Sequence, residues 1–193
     1  MKRQPARVVE PADVRRLLEL TTTQRHPSRN KVMVLLSFKA GLRACEIAGL
    51  TWSMVLQSDQ KVGGHLTVSR AIAKCGSGRL IPMHDELRNA LRQHHRNAGK
   101  PNVGPVLRSE RGGHLTARSV VNWFDNAYAQ LALYGCSSHS GRRTFITQSA
   151  RMISKIGGSL RDVQELAGHR ALTTTERYIV GDRQTQRKLI RLL

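Results

Sequence analysis

The chain has 193 residues, enough for one domain with a sizeable core, and at 39% hydrophobic residues it should be globular rather than disordered. Its 32 Lys and Arg against 13 Asp and Glu leave a formal charge of +19. Such a surface repels itself unless a polyanion is near, so nucleic acid is the expected partner. No apolar run reaches the about 18 residues of a membrane span, and MKRQPARVVE lacks a secretory apolar segment; no membrane role is expected, and the location expected is a bacterial-type cytoplasm, at the nucleoid.

In chain order, Pro11 followed by Val14, Leu17, Leu18 and Thr21 sets a helix start and an i, i+3, i+4 stripe. Residues 30–40 (NKVMVLLSFKA) are apolar nearly all round and predict a buried helix ended by Gly41. A short helix follows at 44–50. Leu66, Val68 and Ile72 alternate as in a half-buried strand, CGSG (75–78) turns the chain, and RLIPM (79–83) returns it as a hairpin. Residues 84–98 read as a helix, with His94 and His95 on a basic, solvated face. The Gly/Pro-rich 99–113 reads as a loop. Helices are expected at about 116–133, 140–152, 159–167 and 172–179, and RQTQRKLIRLL (183–193) as a basic amphipathic tail helix carrying Leu189, Ile190 and Leu193. The sum is a single mainly α domain with one small antiparallel hairpin. Cys45, Cys75 and Cys136 are odd in number and widely spaced, as reduced thiols are, and the eight histidines show no metal-ligand spacing.

The chemistry lies in a set of motifs. GLRACEIAGL places Arg43 at a loop-to-helix junction, with Glu46 a turn on. AIAKCGSGRLIP places Lys74 at the hairpin tip. HSGRRTF holds His139 and Arg142 one helical turn apart. AGHRALTTTERYIV holds His169 and, nine residues later, Tyr178. Each has an ordinary reading alone: a tyrosine in the core, a surface ion pair, a solvated lysine, a histidine capping a helix. Tyr128 and Tyr134, without such company, are assigned to the core.

In this order and spacing the motifs resemble those of the tyrosine recombinases of the lambda-integrase type, and the match spans roughly residues 8–182. Arg43, Lys74, His139, Arg142, His169 and Tyr178 align one by one with that family's catalytic positions, and Glu46 with its acidic position. Two residues depart: Gly141 stands where leucine is usual, which would loosen the helix start, and Arg143 where histidine is usual. Length departs as well, because relatives usually carry a separate N-terminal DNA-clamping domain. The expectation is therefore one catalytic domain over 1–193 with no such clamp.

The residue types suit the implied reaction. Attack on a phosphodiester gathers negative charge at phosphorus, and guanidinium forks suit its oxygens, so Arg43 and Arg142 form the clamp, with His169 as a third donor. The phenol of Tyr178 needs help to ionise, which His139 would give by accepting its proton. Lys74 would protonate the departing 5′-oxygen, and Glu46 would orient Arg43 or His139. Arg70, Arg79, Arg118, Arg143 and Arg170 are expected to contact DNA, with Arg15, Arg16, Arg92 and Arg96 meeting phosphates or only solvent. No phosphate-binding loop and no acidic cluster calls for a nucleotide or metal, so no cofactor is expected.

The resemblance implies a site-specific recombinase working through a 3′-phosphotyrosyl link, as a homotetramer on two duplex DNA sites, with the tail helix docking on a neighbouring protomer. The rivals are a type IB topoisomerase-like enzyme and a non-catalytic DNA-binding regulator with this fold; a regulator would have lost some of the six residues, and all six are present. The charge alone makes a prediction. Affinity for random duplex, measured by fluorescence anisotropy, should fall with salt at a log–log slope of about −0.9 per phosphate neutralised, and a flat response would assign the basic surplus to something else.

Overall fold

The computed structural model describes residues 5–73, 76, 78–179, 187, 190 and 191. Lys74 and, apart from residues 187, 190 and 191, the expected tail helix lie outside them. The architecture is mainly helical with one two-stranded antiparallel sheet.

Helix α1 (Pro11–Thr22) starts on a proline, whose missing N–H costs nothing there, with Asp13 in the first turn facing the positive end of the helix dipole. Helix α2 (Pro27–Lys39) is the central rod. Its residues Val32–Phe38 are all buried, and α1, α3 (Ala44–Gly49), α4 (Asp85–Asn97) and α6 (Ser140–Ile153) pack around it. A helix enclosed on every side has no polar face to keep, which is why its sequence shows no amphipathic stripe. Strands β1 (His65–Val68) and β2 (Arg79–Pro82) pair from His65 with Pro82 to Val68 with Arg79, turning Leu66, Val68 and Ile81 into the core. Ile72, expected to continue β1, lies in the turn beyond it.

Helix α5 (Ala117–Gln130) is capped by the Thr116 hydroxyl, which accepts from the Ser119 N–H. Helices α7 (Leu160–Ala167) and α8 (Leu172–Glu176) follow α6, and α7 is capped by Ser159 and Asp162. The main core runs from Val9 to Leu133. A smaller cluster of Ile146, Val163 and Ala167, with Phe145, Ile153, Leu160 and Tyr178 against it, joins α6, α7 and the turn after α8.

Three expectations are corrected. His94 and His95 are buried, not solvated: their rings lie 5.9 and 4.6 Å from that of Trp52, and their Nε2 atoms meet the Val106 and Pro101 carbonyls. Segment 99–113, read as a plain loop, folds over them and sends Val106 and Leu107 into the core, while Arg92 and Arg96 keep the solvent side of α4. Tyr134 is not a core residue but 81% exposed, beyond the end of α5; Tyr128 is buried as expected.

Nor does Gly141 loosen α6, which is helical from Ser140 onward. A Cβ at Gly141 would strike the Ser37 side chain and the Phe38 ring, so the glycine is what lets α6 lie so close to α2. Gly141→Ala should therefore cost about 1–3 kcal/mol of stability in urea titrations through overpacking, and Ser37→Gly in the same chain should recover part of it. An unchanged midpoint for Gly141→Ala would mean the two helices have room to spare.

Candidate active site

The first motif is built around a reversal of the chain. After α2, Gly41 adopts φ +63°, and a Cβ there would run into the ring of Phe145 on α6. Leu42 is wholly buried and fixes the turn. Arg43 then N-caps α3: its backbone N–H donates to Glu46 Oε2 at 2.9 Å and its Nη1 to Glu46 Oε1 at 3.0 Å. The same turn aims the Gly41 carbonyl at Arg142, whose Nη1 donates to it at 2.6 Å.

The second motif ends a helix. Gly168, at φ +63°, caps α7 in the left-handed conformation. The last carbonyls of α7 thereby become acceptors for cations, which the negative end of the helix dipole also favours. Arg142 Nη2 donates to the Ala167 carbonyl at 2.6 Å, and Arg79 Nε to that of Leu166 at 2.9 Å. His169 is pinned beyond the cap, its N–H donating to the Gln164 carbonyl and its own carbonyl accepting from Gln164 Nε2.

These two turns bring Arg142 against His169. Arg142 is only 3% exposed, and its Nη2 lies 2.9 Å from His169 Nε2. A guanidinium only donates, so Nε2 is the acceptor and the imidazole proton sits on Nδ1, 2.9 Å from Thr175 Oγ1. Tyr178 completes the group. Helix α8 ends at Glu176, short of the expected 179, so Tyr178 stands in the following turn, with its N–H on the Thr175 carbonyl and its carbonyl accepting from Thr147 Oγ1. Its half-buried ring stacks on that of His169, centroids 5.5 Å apart at 23°, and Arg143 Cζ lies 5.7 Å from the ring centre.

The electrostatics follow from crowding cations below the surface. Burial, reinforced by Arg43 and Arg79, pushes Arg142 down to about 10, still protonated at neutral pH. Burial and then Arg142, Arg43 and Arg79 push His169 down to about 4, so its imidazole is neutral at pH 7. Burial raises Glu46, but Arg79 and Arg43 together outweigh it and hold the carboxyl below its usual range. One carboxylate thus lies among three guanidinium groups, and the surplus is positive.

The fold brings Arg43, Glu46, Arg142, His169 and Tyr178 into one region. His139 lies at the N-cap of α6, exposed and three residues before Arg142, with its backbone N–H on Ser137 Oγ. Arg70 and Arg118 are exposed, after β1 and in the first turn of α5, and Arg170 is exposed beside His169. Arg143 lies against the Tyr178 ring. Arg79 does not lie at the surface, where a DNA contact was expected: its side chain is 6% exposed and grips Glu46 with both Nη atoms at 3.0 Å. The sequence reading missed Thr175, wholly buried on His169, and Thr147 on Tyr178. Nothing in TTTE marks the third threonine, because only the fold brings it under the imidazole.

Comparison with known proteins bears on the family and the fold. The profile of the phage integrase family matches residues 7–184. The tyrosine recombinase XerC of Actinobacillus pleuropneumoniae serotype 7 (strain AP76) is 30% identical over 186 residues, which cover 92% of this chain and 56% of that protein. In three dimensions the integrase of mycobacterium phage Brujita, 28% identical, superposes with a TM-score of 0.63 over 97% of this chain and 57% of its own. The Tn1549 transposon integrase, solved in complex with circular intermediate DNA, gives a TM-score of 0.74 at 19% identity, over 100% of this chain and 69% of its own. The chain spans about half the length of the curated relatives it matches. It belongs to the phage integrase family, and its fold is that of the tyrosine recombinase catalytic domain.

Proposed function

We propose that the chain cuts and rejoins duplex DNA through Tyr178. The observation that carries this reading is the Tyr178 ring stacked on His169, which is itself hydrogen-bonded to Arg142. The phenolate oxygen attacks phosphorus, the P–O bond to the 5′-oxygen breaks, and a 3′-phosphotyrosyl link and a 5′-hydroxyl result. Attack by a 5′-hydroxyl then reverses the step, so no bond energy is lost and neither ATP nor a metal is required. Arg43 and Arg142 hold the non-bridging oxygens, His139 accepts the phenol proton, and Lys74 protonates the departing oxygen. On duplex DNA the protein acts as a homotetramer joining two sites, with Arg70, Arg118, Arg143 and Arg170 on the phosphates.

His169 has to change role as substrate arrives. In the DNA-free protein its Nε2 accepts from Arg142, whereas a phosphate oxygen needs a donor there. A phosphodiester anion offsets the cations that depress the imidazole, and it offers Arg142 a new acceptor. Both effects favour a proton on Nε2.

A suicide duplex, nicked so that the 5′-hydroxyl fragment diffuses away, tests the chemistry. The wild type should accumulate a covalent protein–DNA adduct, Tyr178→Phe none, and Arg142→Ala one formed about 10²–10³-fold more slowly. An adduct from Tyr178→Phe would remove the proposed nucleophile. Exchange between two duplexes indicates recombination, and rejoining of the original ends alone a topoisomerase-like activity.

The depressed His169 makes a second prediction. As pH falls, the unfolded chain binds the proton first, near the ordinary histidine value of about 6.5, and the folded chain only near 4. Stability is therefore full above that ordinary value and falls as pH drops through the window. His94, lowered chiefly by burial, adds the same sign, so the quantity to read is the difference between wild type and His169→Gln in urea titrations. The variant should lose less stability from pH 7 to 4; equal losses would mean the imidazole is already solvated.

A further inference from the structure

Arg79 is the first residue of β2, yet it bonds to two other elements of the fold. Its Nε donates to the Leu166 carbonyl at the end of α7, and its Nη1 and Nη2 donate to the two oxygens of Glu46 on α3. Gly168 leaves room for it, since a Cβ there would come within 2.9 Å of Arg79 Cδ. Glu46 is fully buried and holds Arg43 twice, at the backbone N–H and at Nη1. A two-pronged fork fixes the plane of a carboxylate, as a lysine point charge does not. With the plane fixed, the remaining lone pairs of Glu46 have one direction, toward Arg43.

We propose that Arg79 is a positioning residue that sets the Arg43 guanidinium through Glu46 and makes no contact with DNA. The inference rests on the reading of Arg43 as part of the phosphate clamp. Without Arg79 the carboxylate keeps its burial but loses its main counter-charge. Its carboxyl then titrates higher, and its plane is free to turn. The charged groups facing it are Arg43 on its own helix, Arg79 from β2 and Arg142 from α6.

The test uses the full chain with Arg79→Met, Arg79→Lys, Glu46→Gln and the Arg79→Met/Glu46→Gln pair, with folding checked by thermal melts. Duplex affinity and its salt slope in Arg79→Met should match those of Glu46→Gln, which disturbs Arg43 without removing a cation. Single-turnover adduct formation on saturating suicide duplex should fall by about 10²-fold in Arg79→Met, the scale of a misplaced catalytic group. It should fall less in Arg79→Lys, and a new loss should appear toward acid pH as Glu46 takes up a proton. The pair should be no slower than the slower single variant, since both act along one chain of contacts.

A salt slope smaller by about 0.9 in Arg79→Met than in Glu46→Gln would make Arg79 a phosphate contact in its own right and overturn the proposal. So would a rate loss independent of pH, or additive losses in the pair. Nitrogen-15 NMR of arginine Nε groups in the DNA-free protein gives a readout that does not need activity. The Arg43 resonance should move in Arg79→Lys and in Glu46→Gln, and an Arg43 signal indifferent to Arg79 would overturn the inference. A wild type that forms no adduct while its Arg43 signal still depends on Arg79 would instead sink the reaction and leave the positioning intact.

Discussion

The site depends on one arrangement: a buried guanidinium solvated by dipoles instead of being neutralised by a carboxylate. Arg142 bonds to the carbonyls of Gly41 and Ala167 and to the imidazole of His169, all of them uncharged. A carboxylate partner would satisfy the same donors and cancel the charge. Backbone carbonyls satisfy them and leave the positive field intact, at the cost of burial that lowers the Arg142 pKa. The charge is thus already stripped of water and already oriented, and under the reaction proposed above a phosphodiester would meet it in that state, as growing charge meets preorganised donors.

Two left-handed glycines make this possible. Gly41 and Gly168 follow helices α2 and α7; the first directs its own carbonyl inward and the second that of Ala167. Their spacing from Arg43 and His169 is thus a structural requirement: the turn that exposes the carbonyl also delivers the next functional side chain. Helix α6 supplies the third wall. Gly141, Arg142 and Phe145 all face the end of α2, the glycine by contact with Ser37, the phenylalanine by filling the space beside Gly41. Helix packing and the geometry of the candidate site are in this region a single set of contacts, so a packing change at Gly141 is felt one residue from Arg142.

Glu46 balances the cluster. Held by Arg43 and Arg79, it reduces the mutual repulsion of the three guanidinium groups without reaching Arg142's donors. The hairpin strand β2 and the helix α3 are joined at that carboxylate, and Arg79 carries the same network on to the end of α7.

Much of this was legible in the chain itself. The periodicity of Val14, Leu17 and Leu18, the unbroken apolar run before Gly41 and the turn residues 75–78 gave the element order, because local pattern and turn chemistry act over a few residues. The motif order singled out Arg43, Glu46, Arg142, His169 and Tyr178, which the fold brings into one region. What the sequence hid were properties of contact. His94 and His95 lie in an arginine-rich stretch, and it is segment 99–113, whose Gly104 carbonyl accepts from the Trp52 backbone N–H and whose Pro101 and Val106 carbonyls meet the two imidazoles, that makes them interior. Arg79 looks like any basic residue on a hairpin, yet Glu46 and Leu166, which turn it inward, lie 33 and 87 residues away. Gly141 read as a weakness until Ser37 was opposite it. The amino-acid sequence determined which groups are present and which local turns present them; the tertiary structure decided which charges go unneutralised, because burial and the choice of partner are fixed by packing between distant segments.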